Sequence, residues 1–427
     1  MTDGSSIVNI FSFGNQRRTK QIISLYSSLT FGILISICVS VINTRLLGPK
    51  QYGDLKFLQN MFIFISTFLT LGIFVSGARL LASKENEKIK RQLIGSLYIL
   101  ASIISVVLII IVFIFSFFEE QIFNNKLGLI IRVFSPLLFV FPFQLCLQNI
   151  MQGDNKIYAL SIFNIAPRIL YIIMVLVISL LTHISLTYVL GIQFLSLAIL
   201  IFVMAIHFKP EFINFKKISS IIWQENKTYG LQVYIGMLVG VASAQLAGLS
   251  IGYFIDNTNV GFFSLALTST MPLTMIPSAV GITFFKDFAN SSSIPKRATL
   301  VTIILSLIGL FIFLLFIEKV ILLLYTSEYL PVVSLAYLVS FGSILHGFGD
   351  YINKFLGAHG KGKALRNGAI VVGFSNIIGY IVLVRMIGVK GAAITKIISG
   401  LTYCVMMLYF YRYFRKNYRK NDGNLLV

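Results

Sequence analysis

The chain has 427 residues, 57% of them apolar and 12% charged, with a formal net charge of +20 and a mean hydropathy of +0.87. That composition excludes a soluble domain with an aqueous surface of its own. The three cysteines, Cys38, Cys146 and Cys404, all fall in apolar runs and form neither a metal-type pair nor a loop disulfide.

The first twenty residues are polar and contain Arg17, Arg18 and Lys20, so residues 1–20 read as a cytoplasmic N-terminal tail. The next apolar run, Ile22–Val41, exceeds a signal-peptide core and lacks a small-residue cleavage site, so it is expected to stay as span 1. Phe57–Gly77, Leu93–Phe117 and Val133–Ile150 are each close to the ~20 residues a membrane-crossing helix needs. Between Ile169 and Phe208 there is no Asp, Glu, Lys or Arg, and His183 divides this stretch into spans 5 and 6. Residues 21–208 thus form a predicted N-terminal lobe of six helices. In residues 209–228, apolar Phe212, Phe215, Ile218, Ile221, Ile222 and Trp223 are interspersed with Lys216 and Lys217. The pattern predicts a short amphipathic helix on the cytoplasmic surface. Tyr229–Ile255, Val260–Phe285, Ala298–Ile317, Pro331–Gly357, Gly368–Gly388 and Gly391–Tyr411 supply six more spans. They make a C-terminal lobe over 229–411, followed by a basic cytoplasmic tail, 412–427. The predicted fold class is an all-α polytopic membrane protein of about twelve transmembrane helices in two six-helix bundles.

The basic residues follow this plan. With the N-terminus in the cytoplasm, 25 of the 35 Lys and Arg lie in inside segments, 7 in outside segments, and 3 within spans. This is the positive-inside bias. It assigns the net charge to topology and not to nucleic acid.

The two halves echo each other. Leu46-Leu-Gly-Pro-Lys-Gln-Tyr-Gly53 joins spans 1 and 2, and Phe254-Ile-Asp-Asn-Thr-Asn-Val-Gly261 joins spans 7 and 8. Lys156-Ile-Tyr-Ala-Leu160 similarly lines up with Lys361-Gly-Lys-Ala-Leu365. Six helices per half makes the repeats parallel, and transporters built this way place their passenger between the halves. Prolines 136, 142, 167, 272 and 277 are candidate kinks. Gly236, Gly240, Ala244, Gly248 and Gly252 place a small residue at every fourth position of span 7, a pattern that permits close helix contact.

No phosphate loop, metal-ligand spacing or nucleophile elbow is present, so no catalytic residue and no cofactor is expected. Three polar groups remain. Gln144, Gln148 and Gln152 share one face of span 4, either lining a cavity or bonding a neighbouring helix. Asn164, Arg168 and Tyr171 share a face of span 5, with Arg168 about 15 Å from the cytoplasmic end near Tyr158. A guanidinium there either pairs with backbone carbonyls or offers its donor fork to phosphate or carboxylate. On span 10, His346, Asp350 and Lys354 recur every four residues, as a structural ion pair or as a site for a coupling proton or Na⁺. Arg132 and Lys396 lie about five residues from the outer ends of their spans, facing either the cavity or the outer interface.

Asn43-Thr-Arg-Leu-Leu-Gly-Pro-Lys-Gln-Tyr-Gly-Asp54 resembles the helix 1–2 junction of polysaccharide flippases of the multidrug/oligosaccharidyl-lipid/polysaccharide exporter superfamily. Asp256-Asn-Thr-Asn-Val-Gly-Phe-Phe-Ser-Leu-Ala266 and Ile387-Gly-Val-Lys-Gly-Ala-Ala-Ile394 are similar to two further junctions of that family. The resemblance implies a MATE-like, V-shaped two-lobe fold in a bacterial inner membrane. It implies a flippase that moves undecaprenyl-diphosphate-linked oligosaccharide, for O-antigen, capsule or a similar glycan, to the outer leaflet by alternating access. Partners would be the lipid-linked glycan, the bilayer, and the polymerase and other proteins of glycan assembly. Related lipid II flippases carry an Arg-Asp pair inside helix 1; the comparable Ile37-Cys-Val-Ser-Val-Ile42 is uncharged, which leaves Arg168 as the preferred anion contact. A cation-coupled multidrug exporter on the same fold would favour acids in its cavity, where this chain carries stray cations. A polymerase would need a large external loop, and a scaffold large soluble segments.

Overall fold

The computed structural model describes the backbone of residues 16–423 and the side chains of 31–416 other than Lys286. The side chains of Arg17, Arg18, Lys20, Arg419 and Lys420, which carry the N-terminal and part of the C-terminal predicted tail charge, fall outside the described residues.

α1, Gln16–Leu69, turns at Gly48 (φ 67°, ψ 174°). Pro49 follows, its fixed φ suiting the first turn of a new helical limb. A straight helix over the apolar stretch Phe31–Leu69, 39 residues, would measure about 58 Å, nearly twice the ~30 Å hydrocarbon core. The Gly48 turn folds it into two crossings without an intervening loop. The second limb breaks again at Thr70–Gly72, where Leu71 (φ 47°) and Gly72 (φ 75°) are left-handed, and continues as α2, Ile73–Ala82. α3, Glu87–Phe115, starts at an Asn86 cap whose side chain accepts from the Lys88 N–H at 2.9 Å. The short α4, Glu119–Phe123, leads to α5, Gly128–Phe134. A 3₁₀ segment around Pro136, Ser135–Phe139, separates α5 from α6, Val140–Gly153. α7, Ile157–Ser179, and α8, Leu186–His207, flank His183 as expected.

The linker forms α9, Phe215–Glu225, which buries Ile218 and Ile222 and leaves Trp223 45% exposed. It runs without a loop through a π turn, Asn226–Gly230, into α10, Leu231–Phe254. α11, Asn257–Thr283, stays continuous through Pro272 and Pro277. α12, Phe285–Ala289, α13, Lys296–Leu324, α14, Pro331–Ala358, and α15, Gly362–Ile387, follow. α16, Val389–Gly423, carries helix through most of the segment expected to be a separate tail. Among the described residues, eleven helices are long and apolar enough to cross a membrane, and the Gly48 turn raises the crossings to twelve.

The lobes meet at the end that holds the Gly48 turn, here the junction end; the opposite end holds α9. The seam is backbone against backbone. A Cβ on Gly53 would collide with the main chain of Asn257, and one on Gly261 would lie 2.9 Å from the Gly53 Cα. The two echoed junctions therefore touch through their glycines. Around them, Asn257 Nδ2 donates to Asp54 Oδ1 at 2.7 Å and Tyr329 OH donates to the Thr44 carbonyl at 3.2 Å. Arg45 donates to the Leu323 and Leu324 carbonyls at 2.6 and 2.8 Å. One hydrophobic cluster runs from the N-terminal lobe across this seam, through Tyr52, Phe57, Val260, Phe263 and Tyr329. The linker end of the C-terminal lobe has a separate cluster around Phe288, Phe355, Tyr403 and Met407.

The small-residue stripe of α10 divides accordingly. Gly248 and Gly252 are pressed against Asn60 and Phe57 of α1, whereas Gly240 has nothing within 4 Å. Replacing Gly53 or Gly261 by Ala is expected to cost about 1–3 kcal/mol through overpacking. Gly240→Ala should leave the chain within about 0.5 kcal/mol of native. Thermal unfolding of the purified variants in one detergent compares the three directly.

Candidate functional site

Arg168 lies eleven residues into α7, about 16 Å along the helix. Its Nη1 donates to the Gly32 carbonyl at 2.7 Å and to Ser36 Oγ at 2.8 Å, both on the first limb of α1. Ser36 Oγ also donates to the Gly32 carbonyl, at 2.7 Å. The carbonyl partner is thus on a neighbouring helix and not beside the Pro167 kink. The rest of the guanidinium remains exposed, and no carboxylate pairs with it among the described ion pairs. Described contacts from this limb to the C-terminal lobe fall at Ile37, Ser40, Thr44, Arg45 and Gly48. All lie toward the junction end from Gly32 and Ser36, the two residues of α1 that hold Arg168.

Its predicted companions separate. Gln148 Nε2 donates to Asn164 Oδ1 at 3.1 Å, tying α6 to α7. Gln144 is half-buried on the same face of α6 and Gln152 is exposed. Tyr171 is 4% exposed and its hydroxyl donates to Asn43 Oδ1. It turns into the α1 interface, which leaves Arg168 as the exposed member of the trio.

The C-terminal lobe gathers a second polar group between α14 and α16. Tyr403 OH donates to Asp350 Oδ1 at 3.1 Å and accepts from Asn353 Nδ2 at 2.9 Å. The His346 ring lies 4.7 Å from the Tyr403 ring, centroid to centroid. Lys396 is within electrostatic reach of both Asp350 and His346. Close backbone approach at Gly342 and Gly400 brings α14 and α16 near enough for this. Lys354 packs over Gly281 of α11 and adds a second positive charge near Asp350. Arg132 goes elsewhere. Its Nε donates to Ser116 Oγ at 3.3 Å and its guanidinium lies 3.8 Å over the Phe117 ring, at the junction end of α3.

Glu119 escaped the sequence reading, because an acid in a short polar connection looks solvated. It is fully buried, and among the described residues its carboxylate has only the Asn125 amide facing it, outside good hydrogen-bond geometry. Its helix α4 bridges the seam: Phe123 packs 4.8 Å from Phe57 and 6.0 Å from Tyr253 of α10. Burial pushes the Glu119 carboxyl up to about 7; the Asn125 amide opposes this, and the charges of Glu120 and Asp54 add to it. The folded chain therefore holds the proton more tightly than the unfolded chain, in which Glu119 meets water. Its stability is full below the ordinary carboxylate range and falls as pH rises toward about 7. The loss is on the order of 3 kcal/mol by the constant for one pKa unit. Thermal unfolding scanned from pH 5 to 8 should show this decline in the native chain, and Glu119→Gln should flatten it.

A family model described as polysaccharide biosynthesis protein matches residues 19–284. No curated protein sequence matches the chain. Among solved structures, the lipid II flippase MurJ in an inward closed conformation is 16% identical, covers 91% of this chain and 87% of its own, and superposes with a TM-score of 0.71. A multidrug resistance MATE family transporter of the MOP superfamily in an inward-facing conformation is 15% identical, with coverage of 94% and 99% and a TM-score of 0.69. An outward-facing conformation of such a transporter is 16% identical, with coverage of 93% and 94% and a TM-score of 0.59. The chain belongs to the polysaccharide biosynthesis protein family and has the all-α fold of the MOP superfamily transporters.

Proposed function

We propose that the protein is a flippase in a bacterial inner membrane, moving undecaprenyl-diphosphate-linked oligosaccharide from the cytoplasmic to the outer leaflet by alternating access. The observation that carries this reading is Arg168: an exposed, permanently charged fork at mid-depth, braced on the first limb of α1 with no carboxylate among its described partners. Such a group costs at least ~2.5–3.5 kcal/mol in hydrocarbon unless it meets water or an anion. A diphosphate or an acidic sugar fits its remaining donors.

The excess of Lys and Arg at the linker end assigns that end to the cytoplasm, with both termini there. A seam on the outer side fits an inward state of the alternating-access cycle. The TM-scores of 0.71 and 0.69 with two inward conformations, against 0.59 with an outward-facing one, agree with it. An apolar groove of about 380 Å³ between Ile37 of α1, Leu273 of α11 and Phe316 of α13 offers room for part of a lipid chain outside the cavity. The polymerase and other glycan-assembly proteins are the partners this reading expects. The multidrug-exporter alternative is disfavoured, since organic cations would meet Arg168.

A strain lacking the gene should accumulate lipid-linked repeat units on the inner leaflet and lose its surface glycan. Restoration by plasmid-borne native chain, scored by surface glycan staining at matched expression, is the assay. Arg168→Gln keeps a donor toward Gly32 without the charge and should restore less than a tenth of export; Arg168→Lys should restore more. Native-level export by Arg168→Gln would eliminate the anion contact.

Asp350, with Tyr403, His346, Lys396 and Lys354 around it, is the proposed site for a coupling proton or Na⁺. Asp350→Asn should abolish the dependence of export on the ion gradient, measured in vesicles with imposed pH or Na⁺ gradients. An unchanged gradient dependence would remove Asp350 from that role.

A further inference from the structure

A separate cavity lies at the linker end of the C-terminal lobe. It has a volume of about 700 Å³ and is bounded by Lys361, Lys363 and Asn367 at the start of α15 and by Tyr409, Phe410 and Tyr413 on α16. The turn that enters it, Gly360-Lys361-Gly362-Lys363, leaves it unobstructed: neither Gly360 nor Gly362 has any atom within 4 Å of where a Cβ would stand. Lys361 reaches over the Phe414 ring, Nζ 5.3 Å from its centroid. Tyr409 and Tyr413 are each 59% exposed.

The two helices that form it are basic at this end. From Lys354 to Arg366 and from Arg412 to Lys420 the chain has no Asp or Glu but nine Lys and Arg. Arg366, Arg412, Arg415 and Lys416 are exposed near the cavity, on the same two helices. A cavity with cations at its mouth and aromatic rings along its wall matches an amphipathic anion better than a free one. Its position at the end of the span Val389–Lys416 places it where headgroups lie. Basic pockets between transmembrane helices on that side of a membrane are suited to lipid phosphates.

We infer that this cavity binds the phosphate headgroup of an anionic phospholipid, with Lys361 and Lys363 on the phosphate and the acyl chains running along Tyr409 and Tyr413 of α16. The site is remote in sequence and lobe from Arg168, and it stands whether or not the chain moves a glycan. It gives the C-terminal lobe an attachment to the leaflet at the end opposite the seam.

The test uses the full chain, purified and delipidated in detergent, and native mass spectrometry with dioleoyl phosphatidylglycerol, dioleoyl phosphatidylcholine or inorganic pyrophosphate. The native chain should bind phosphatidylglycerol in preference to phosphatidylcholine. Lys361→Gln with Lys363→Gln should weaken phosphatidylglycerol binding roughly thirtyfold, about fivefold for each lysine. Lys216→Gln with Lys217→Gln on α9, which removes the same charge elsewhere, should leave it unchanged. Both pairs are exposed, so folding is preserved. Equal binding of the two lipids, or equal loss from both pairs of substitutions, overturns the site. Pyrophosphate bound at the same lysines without any lipid preference overturns the lipid assignment.

Discussion

The arrangement of this protein depends on a contact that two glycines allow. Gly53 and Gly261 hold equivalent places in the two echoed junctions, and their backbones meet at the seam between lobes. With Cβ atoms there the helices would stand apart, and Asp54 would not reach Asn257. The contact fixes the two bundles at the junction end. Arg168 is braced farther along the first limb of α1, at Gly32 and Ser36, with the rest of its guanidinium exposed. Close to the same seam, on α4, Glu119 is buried with the charge of Asp54 nearby.

Much of this was legible in the sequence, and the limits are physical. Charge-free runs located the spans because hydrocarbon tolerates little else, and His183 marked a boundary that the helices respect. The 208-residue offset paired Gly53 with Gly261, but a repeat says only that two segments are alike, not that they touch. Spacing on one helix placed His346, Asp350 and Lys354 together. It did not reveal Tyr403 and Lys396, which arrive from α16 by tertiary packing. The sequence set Arg132 near the outer end of its span, Arg168 near mid-membrane and Lys396 near an outer end again, but it gave none of them a partner. The structure separates them by partner: an aromatic ring and a serine, a carbonyl and a serine, and a carboxylate neighbourhood.

Backbone irregularities were the least legible. The turn at Gly48 gave a sequence signal in Gly48-Pro49, whereas the break at Leu71-Gly72 interrupts an apolar run that reads as continuous helix. Asn226 explains why the break persists. It is fully buried, its Oδ1 accepts from Ser76 Oγ at 3.0 Å, and its Nδ2 donates to the Leu71 carbonyl at 3.0 Å. Gly230 lies against the same Ser76 and Gly72. The interrupted second limb of the N-terminal lobe is thus stitched to the π turn that begins the C-terminal lobe, and Arg79 adds an ion pair with Glu225 at 2.8 Å. The lobes are thus held at the seam and again at this stitch.

Next to that stitch, on α9, stands Trp223, the single tryptophan of the chain. It lies beside Ile73 and Leu100 and three residues before Asn226. The 19 tyrosines are spread through the fold, but light absorbed at the red edge of the aromatic band reaches only this one indole. The protein thus carries a native optical reporter at the point where its two lobes are tied, and its emission follows the polarity around the linker without any introduced label.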